Sequence, residues 1–499
     1  MELKFNSSTC RCLRKAVSQV QNQEQTQEVR LPDAMPDIGR VLGSWGQVLV
    51  RSKEWRGSGM SVSGGVMAWV LYAPEDGSEP RSMEAWIPFQ MKWDFPETER
   101  DGFICVSPLL RAIDARSTSA RKLMVRANLS LLGEALEPVE PEIYCPDSVP
   151  ADVQLLTRSY PMELPQESGE KLFQLDEELT VPGTYPSVGK VLRYEFLPQL
   201  AEQKVMAGRL VFRGSGTLHL LYCAEDGSLY SWDCELPFSQ YAELDRDYGP
   251  NAAAWVMPMV TNLELDKDEQ QRLQLKCGMA AQYVIYDRVM VDVVEDAYSP
   301  NRTVKVQTQE LKLPMRLDKQ TETLQSVQTI NAEDARIVDV CWLPDHPGRR
   351  QTGDMTELTV PSQFLVLYYD AGGNLQSGTA RAETAWEIPS DYNNRVDGYV
   401  RFAGRPQAIY SGQGIELSGD FQLETAVFAE QGLCMVTGLD LGEQKEPDPM
   451  RPSLILRRAG ECRLWDLAKE CGSTVDAIQK ANNLQEEPAD GQMLLIPVS

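Results

Sequence analysis

Only two of the 499 residues are histidine, which leaves little for the zinc sites and general-base machinery that imidazole commonly supplies. His219 lies in the run "TLHLLY" and His346 sits between Asp345 and Pro347 in an evident loop, with no ligand spacing around either. No Gly-x-Ser-x-Gly elbow and no His-Glu-x-x-His helix occurs, so two common hydrolase signatures are missing. Carboxylates are abundant, yet nothing singles out a pair for two-acid hydrolysis. Basic residues are scarce: 48 Lys and Arg face 73 Asp and Glu, a net charge of -25. That balance argues against nucleic acid or anionic membrane as direct partners. No apolar run approaches the ~18 residues of a membrane-spanning helix. The opening "MELKFNSSTCRCLRKAV" has basic residues without an apolar segment behind them, so neither a secretory signal nor a lipid anchor is visible and a cytoplasmic protein is expected. Eleven cysteines, without a CxxC pair, suit a reducing compartment and give neither a disulfide framework nor a metal site.

What is present is a packed, β-rich pattern. Hydrophobic residues make up 42% of the chain, enough for cores, and the length suggests roughly three or four domains. The stretch "VPGTYPSVGKVL", Val181 to Leu192, superficially resembles a phosphate-binding loop, because Lys190 follows Gly189. Five residues separate Gly183 from Gly189, Pro186 removes a donor, and Val191 stands where a hydroxyl is needed, so no nucleotide site is expected. A second copy explains the stretch better. "LPDAMPDIGRVL", Leu31 to Leu42, repeats its pattern 150 residues earlier, so that Pro32, Pro36 and Gly39 correspond to Pro182, Pro186 and Gly189. This shared element predicts a strand entered through a proline-punctuated segment.

Other landmarks recur at nearly the same offset. "LYAPEDGS" at 71–78 matches "LYCAEDGS" at 221–228, "WIPF" at 86–89 matches "ELPF" at 235–238, and "KLMVR" at 122–126 matches "RLQLK" at 272–276. Each Asp-Gly closes an apolar run and signals a hairpin. A weaker third copy carries "LYYDAGGN" at 367–374, "WEIP" at 386–389 and "IEL" at 415–417. It lacks the Pro-Gly entry, so its first strand is expected to be lost or remodelled. The expectation is a mainly β protein with three repeated sandwich-like or barrel-like domains, over 25–150, 165–300 and 315–443, plus a small α/β module over 452–499. Proline-rich and acidic segments at 137–150, 298–314 and 443–453 are expected to be linkers.

The C-terminal stretch predicts strand, helix, helix, strand. Leu464, Trp465, Leu467 and Ala468 share one helix face, and Val475, Ile478 and Ala481 share another, with Ser473 as a candidate cap. Trp465 has two readings, core packing or sugar stacking. Cys462 and Cys471 bracket the first helix ~13 Å apart, too far to be bridged. The segment resembles a LysM domain through Gly460, Leu464 to Ala468, Asn482-Asn483-Leu484, Gly491-Gln492 and Leu495-Ile496-Pro497. That resemblance implies a βααβ fold and a groove for N-acetylglucosamine-containing glycans such as peptidoglycan. The implied binding residues are Gly460, Glu461, Cys462, Leu464, Trp465, Asn482, Asn483, Leu484, Asp490 and Gly491. The sequence departs from the family at Gly460-Glu461-Cys462, with Arg463 inserted, and at Asp490-Gly491-Gln492, both in loops that line the sugar groove.

Repeats ahead of such a module, opened by Pro32-Asp33-Ala34-Met35-Pro36-Asp37-Ile38, are similar to the SPOCS-domain proteins of endospore-forming Firmicutes, a spore-coat-assembly family. The resemblance implies a non-catalytic, cofactor-free scaffold in the mother cell at the forespore surface, partnered with a coat morphogenetic ATPase or other coat proteins. Repeated domains suit multivalent attachment. The alternative is a peptidoglycan-binding protein that uses its repeats as spacers.

Overall fold

The computed structural model describes the chain except residues 97, 99, 100, 269–271, 430, 431, 446–449, 461 and 499. The protein is mainly β, with 72% of residues in strands and two helices. None of the helices among the described residues is long and apolar enough to cross a membrane.

The chain enters through β1 (Glu2–Lys4) and β2 (Asn6–Thr9), then forms β3 (Cys12–Arg30), β4 (Ile38–Trp55), β5 (Gly59–Pro74), β6 (Arg81–Asp94), β7 (Phe103–Ser119) and β8 (Lys122–Val139). Two three-stranded antiparallel sheets result, β4-β5-β6 and β3-β8-β7. After β9 (Glu142–Cys145) the pattern recurs with β10 (Gln154–Leu179), β11 (Val188–Met206), β12 (Arg209–Ala224), β13 (Leu229–Glu243), β14 (Ala253–Lys267) and β15 (Leu273–Tyr298). Their pairings are β11-β12-β13 and β10-β15-β14. After β16 (Arg302–Leu311) come β17 (Arg316–Ile330), β18 (Arg336–Pro344), β19 (Gly348–Thr352), β20 (Met355–Tyr369), β21 (Leu375–Pro389), β22 (Asn394–Phe402), β23 (Gln407–Tyr410) and β24 (Ile415–Ala429). Here β18 and β19 both pair with β20, which pairs with β21, while β17-β24-β22, with β23 also on β24, continue the β14-β15-β10 sheet through a single pairing of Glu163 in β10 with Arg316 in β17. The opening strand of the third repeat is therefore kept but split, and the break falls at Asp345-His346-Pro347, where proline withholds a ladder donor.

Alternation makes these sheets two-sided. Along β6, Ala85, Ile87, Phe89, Met91 and Trp93 are buried while their neighbours face outward, the period-2 pattern of a half-buried strand. The Trp93 indole N–H reaches across to the Gln19 carbonyl at 3.0 Å, tying one sheet to the other. The Pro-Gly elements are turns that lead into a bulge. Met35 N–H bonds to Pro32 O and Tyr185 N–H to Pro182 O, while Tyr72 and Tyr222 hydroxyls donate to Pro36 O and Pro186 O. At the following register shift, a Cβ on Gly39 would lie 3.0 Å from Ala73 O, and one on Gly189 2.7 Å from Cys223 O, so close backbone approach requires glycine.

The first two segments expected to be linkers contain strands, whereas in the third only Glu443 and Gln444 belong to one and residues 446–449 lie outside the described residues. β9 pairs with β2, β16 pairs with β25 (Leu433–Gln444), and β25 also pairs with β1. With the far halves of β10 and β15 they enclose small cores, one around Met162, Leu164, Val291, Val293 and Leu311, another around Phe5, Val153, Val436 and Leu439. Proline and acid content obscured a real alternation, as Val304 and Val306 separate polar residues along β16. The chain then ends in β26 (Leu454–Arg458), α1 (Leu464–Cys471), α2 (Val475–Asn482) and β27 (Met493–Pro497), with β26 and β27 antiparallel.

The three segments marked as repeats in the sequence touch one another head to tail. β4 of the first touches β14 of the second, β11 of the second touches β22 of the third, and β18 of the third touches β7 of the first. This is a heterologous contact repeated until it closes, here within one chain. All six are edge strands of their sheets, with backbone groups open to pairing, and side chains from the neighbouring repeat satisfy several of them. The Gln47 amide donates to Phe196 O at 2.6 Å and accepts from Phe196 N at 3.0 Å. The Gln282 amide does the same for Val106, at 2.8 and 2.9 Å. Arg401 donates to Val256 O at 2.6 Å. Buried backbone groups left unpaired would cost about 1–3 kcal/mol each.

Candidate functional site

Register identifies one position shared by all three repeats. Gly43, Arg193 and Asp339 stand opposite Leu71, Leu221 and Leu367 on their middle strands. Arg193 and Asp339 meet at 2.5 Å across the junction of repeats two and three. In the first repeat the space is apolar: a Cβ on Gly43 would lie 2.5 Å from the Trp45 ring, and the Arg193 guanidinium lies 5.2 Å from that ring's centre. Glu195 approaches Arg193 at 2.8 Å and is also paired with Arg405. His219 lies between Asp233, 2.6 Å from Nδ1, and Asp339, 2.9 Å from Nε2. Two guanidiniums and an imidazole thus face three carboxylates.

The electrostatics follow from that balance. Burial pushes the Glu195 carboxyl up, but the Arg193 and Arg405 charges outweigh it and hold the group down to about 2. For Asp339, burial is again outweighed by Arg193 and His219, leaving the carboxyl well below the usual range. Burial disfavours the His219 imidazolium, yet Asp339 more than compensates and raises its pKa. Asp233 and Asp339 thus favour the charged form of His219. Its contribution to stability is present in full below its unfolded pKa of about 6.5 and is lost as pH rises through the raised folded value. Urea unfolding between pH 6 and 9 should show that decline in the wild-type chain and a shallower one in His219→Gln. Parallel slopes in the two proteins would contradict the assignment.

A second cluster joins repeats one and three. Lys15 Nζ lies 2.5 Å from Glu134 and 2.7 Å from Asp397, and the Tyr399 hydroxyl donates to Glu134 at 3.0 Å. Burial opposes the ammonium charge, and Asp397 and Glu134 overcome it, raising the Lys15 pKa well above its ordinary value. His346 lies in a loop, as expected, but is buried in the same junction, with Nε2 2.9 Å from Ser107 O and 3.2 Å from Leu132 N. The basic residues after the motif glycines also bridge repeats: Arg40 donates to Leu375 O at 2.7 Å, and Lys190 pairs with Glu79 at 3.2 Å. That is the role of the lysine in the loop resembling a phosphate site.

In the C-terminal module the candidate residues divide into two groups. Gly460, Cys462, Asn483, Asp490 and Gly491 lie exposed in the loops, Leu484 is half-buried, and Glu461 is outside the described residues. Leu464 is buried and its N–H is taken by the Glu487 carboxylate, 2.9 Å away. The Asn482 side chain is spent on Ile478 O and on both backbone groups of Leu495. Asn483 adopts φ 54° as the C-cap of α2, and Thr474, not Ser473, caps its start by accepting from Ala477 N at 3.1 Å. Ser473 is fully buried and donates to Pro497 O.

Trp465 is only 7% exposed. Its ring meets Tyr298 edge-on at 4.7 Å, and its N–H donates to Asp296 at 2.8 Å, where Lys469 also binds at 2.7 Å. Packing, the first of its two readings, is what the geometry shows. Tyr298 and Asp296 were not foreseen as its partners, since they lie at the end of β15, more than 160 residues away. Among the described residues no group of His, Cys, Asp or Glu is placed to hold a metal ion. No protein-family profile, no curated protein and no solved structure matches the chain.

Proposed function

We propose that the chain is a non-catalytic scaffold of endospore coat assembly, acting in the mother cell at the forespore surface. The observation that carries this reading is where the chemistry is spent: both histidines and the most deeply buried ion pairs lie at junctions between repeats or against neighbouring strands. Such a closed ring holds its outward faces at fixed spacing, the geometry that multivalent attachment to coat proteins requires. The C-terminal module, clamped at Asp296, then serves as an adaptor for a coat morphogenetic ATPase or another coat protein. A second reading, recognition of peptidoglycan or another N-acetylglucosamine glycan, is favoured by the exposure of the loops carrying Gly460, Cys462, Asp490 and Gly491. Against it, Trp465 and Asn482 are used internally and Glu487 occupies the Leu464 N–H.

A fluorescent fusion in a sporulating Gram-positive cell tests the choice, full length against a chain lacking residues 452–499. A ring around the forespore that fades without the module supports the scaffold. Signal on the outer cell wall, with binding to purified peptidoglycan, favours the glycan reading, and diffuse signal opposes both.

A further inference from the structure

A cavity of about 250 Å³ lies where β4, β7, β11, β14, β18 and β22 converge. We infer that it is a binding site for a small, uncharged, apolar molecule of about bicyclic-aromatic size. The argument begins with the wall. Val48, Pro198 and Pro344 occupy equivalent positions in the three opening strands, and Pro108 and Pro258 do so in β7 and β14. All five line the cavity. Proline has no N–H, so these edges present few donors to a ligand and cannot close the space by pairing with one another.

The charged side chains on the wall and Gln47 are already committed, while Gln199 and Gln422 offer only neutral amides. Gln47 holds Phe196, Arg401 holds Val256 O, and Arg405 is shared between Glu195 and Val340 O. Arg405 and Glu195 neutralise each other, so a charged ligand would lose its hydration without gaining an unpaired partner. Leu197, Leu200 and Phe402 remain only half-buried although they line the ring centre. Apolar surface is therefore open there. Size sets an upper limit: an enclosed cavity of about 150 Å³ accepts benzene, and the larger volume here, partly open to solvent, has room for a second fused ring.

Such a ligand would touch all three repeats at once and bind only the closed ring, so it should raise the unfolding temperature as its concentration rises. Naphthalene is the probe, with naphthalene-2-sulfonate as its charged counterpart. Among the 18 methionines, Met257 and Met259 line the cavity, and Met→Leu variants at each assign their methyl NMR signals. Naphthalene is expected to shift these two signals selectively and to raise the unfolding temperature, while the sulfonate does neither. Leu109→Trp, or Gln199→Trp if the first does not fold, should weaken binding at least tenfold by filling the space. No shift at aqueous saturation, shifts spread over methionines elsewhere, or undiminished binding in a filled variant that folds would each overturn the assignment.

Discussion

Replacing Arg193 by methionine is expected to destabilise the folded chain by about 3–5 kcal/mol, because it strips a fully buried cation from Asp339 and Glu195. Those carboxylates would stay buried with only Arg405 and His219 to balance them. Truncating one partner costs far more than replacing both, since an apolar pair of similar volume commonly matches a buried ion pair in stability. The first repeat already shows an apolar solution at this position, with the Trp45 ring filling the space above Gly43. Arg193→Met combined with Asp339→Leu should therefore recover most of the loss. A double-mutant cycle by urea unfolding measures the coupling directly. A single-variant cost below about 1 kcal/mol would place the pair in the weak range of exposed salt bridges and contradict a closed second junction.

Lys15→Met should have an effect of similar size at the other end of the ring. Lys15 is the shared cation of Glu134 in repeat one and Asp397 in repeat three, and all three side chains are at least nine-tenths buried. Without the ammonium, Glu134 keeps only hydroxyl donors from Ser18 and Tyr399, while Asp397 keeps Arg395 at 3.2 Å. The stranded charge on Glu134 dominates the cost, about 3–5 kcal/mol. Adding Glu134→Gln should restore a substantial part of it. If Glu134→Gln instead worsens the Lys15→Met protein by its full single-variant cost, the two groups are not coupled and the junction is misassigned.

The sequence carried the local structure well and the assembly hardly at all, for a physical reason. Turn chemistry is local: the Asp-Gly pairs at 76–77 and 226–227 announce hairpins whose glycines take φ of 73° and 83°, and alternation along β6 announces a buried face. The 150-residue recurrence and the Pro-Gly element correspond to the same turns, bulges and pairings in the first two repeats. The junctions depend on residues that look ordinary in their own segment. Gln47 and Gln282 are unremarkable polar residues until a neighbouring repeat presents an open strand edge. His346 sits between Asp345 and Pro347 and has the local signature of a loop; its burial comes from β7 and β8, more than 200 residues earlier. Proline and acid content masks β9 and β16, although Val304 and Val306 alternate with polar residues along β16. For Trp465 the apolar helix face was legible, whereas Tyr298, which covers it, was not.

Ring closure is the claim on which the rest depends, and small-angle X-ray scattering of the full chain tests it most directly. A compact chain of 499 residues has a radius of gyration of about 23 Å, and the closed ring predicts a value near that figure with a single-peaked distance distribution. Three sandwiches strung along flexible linkers would give a radius roughly half as large again and a distribution with a long tail, and that result would contradict the closed arrangement.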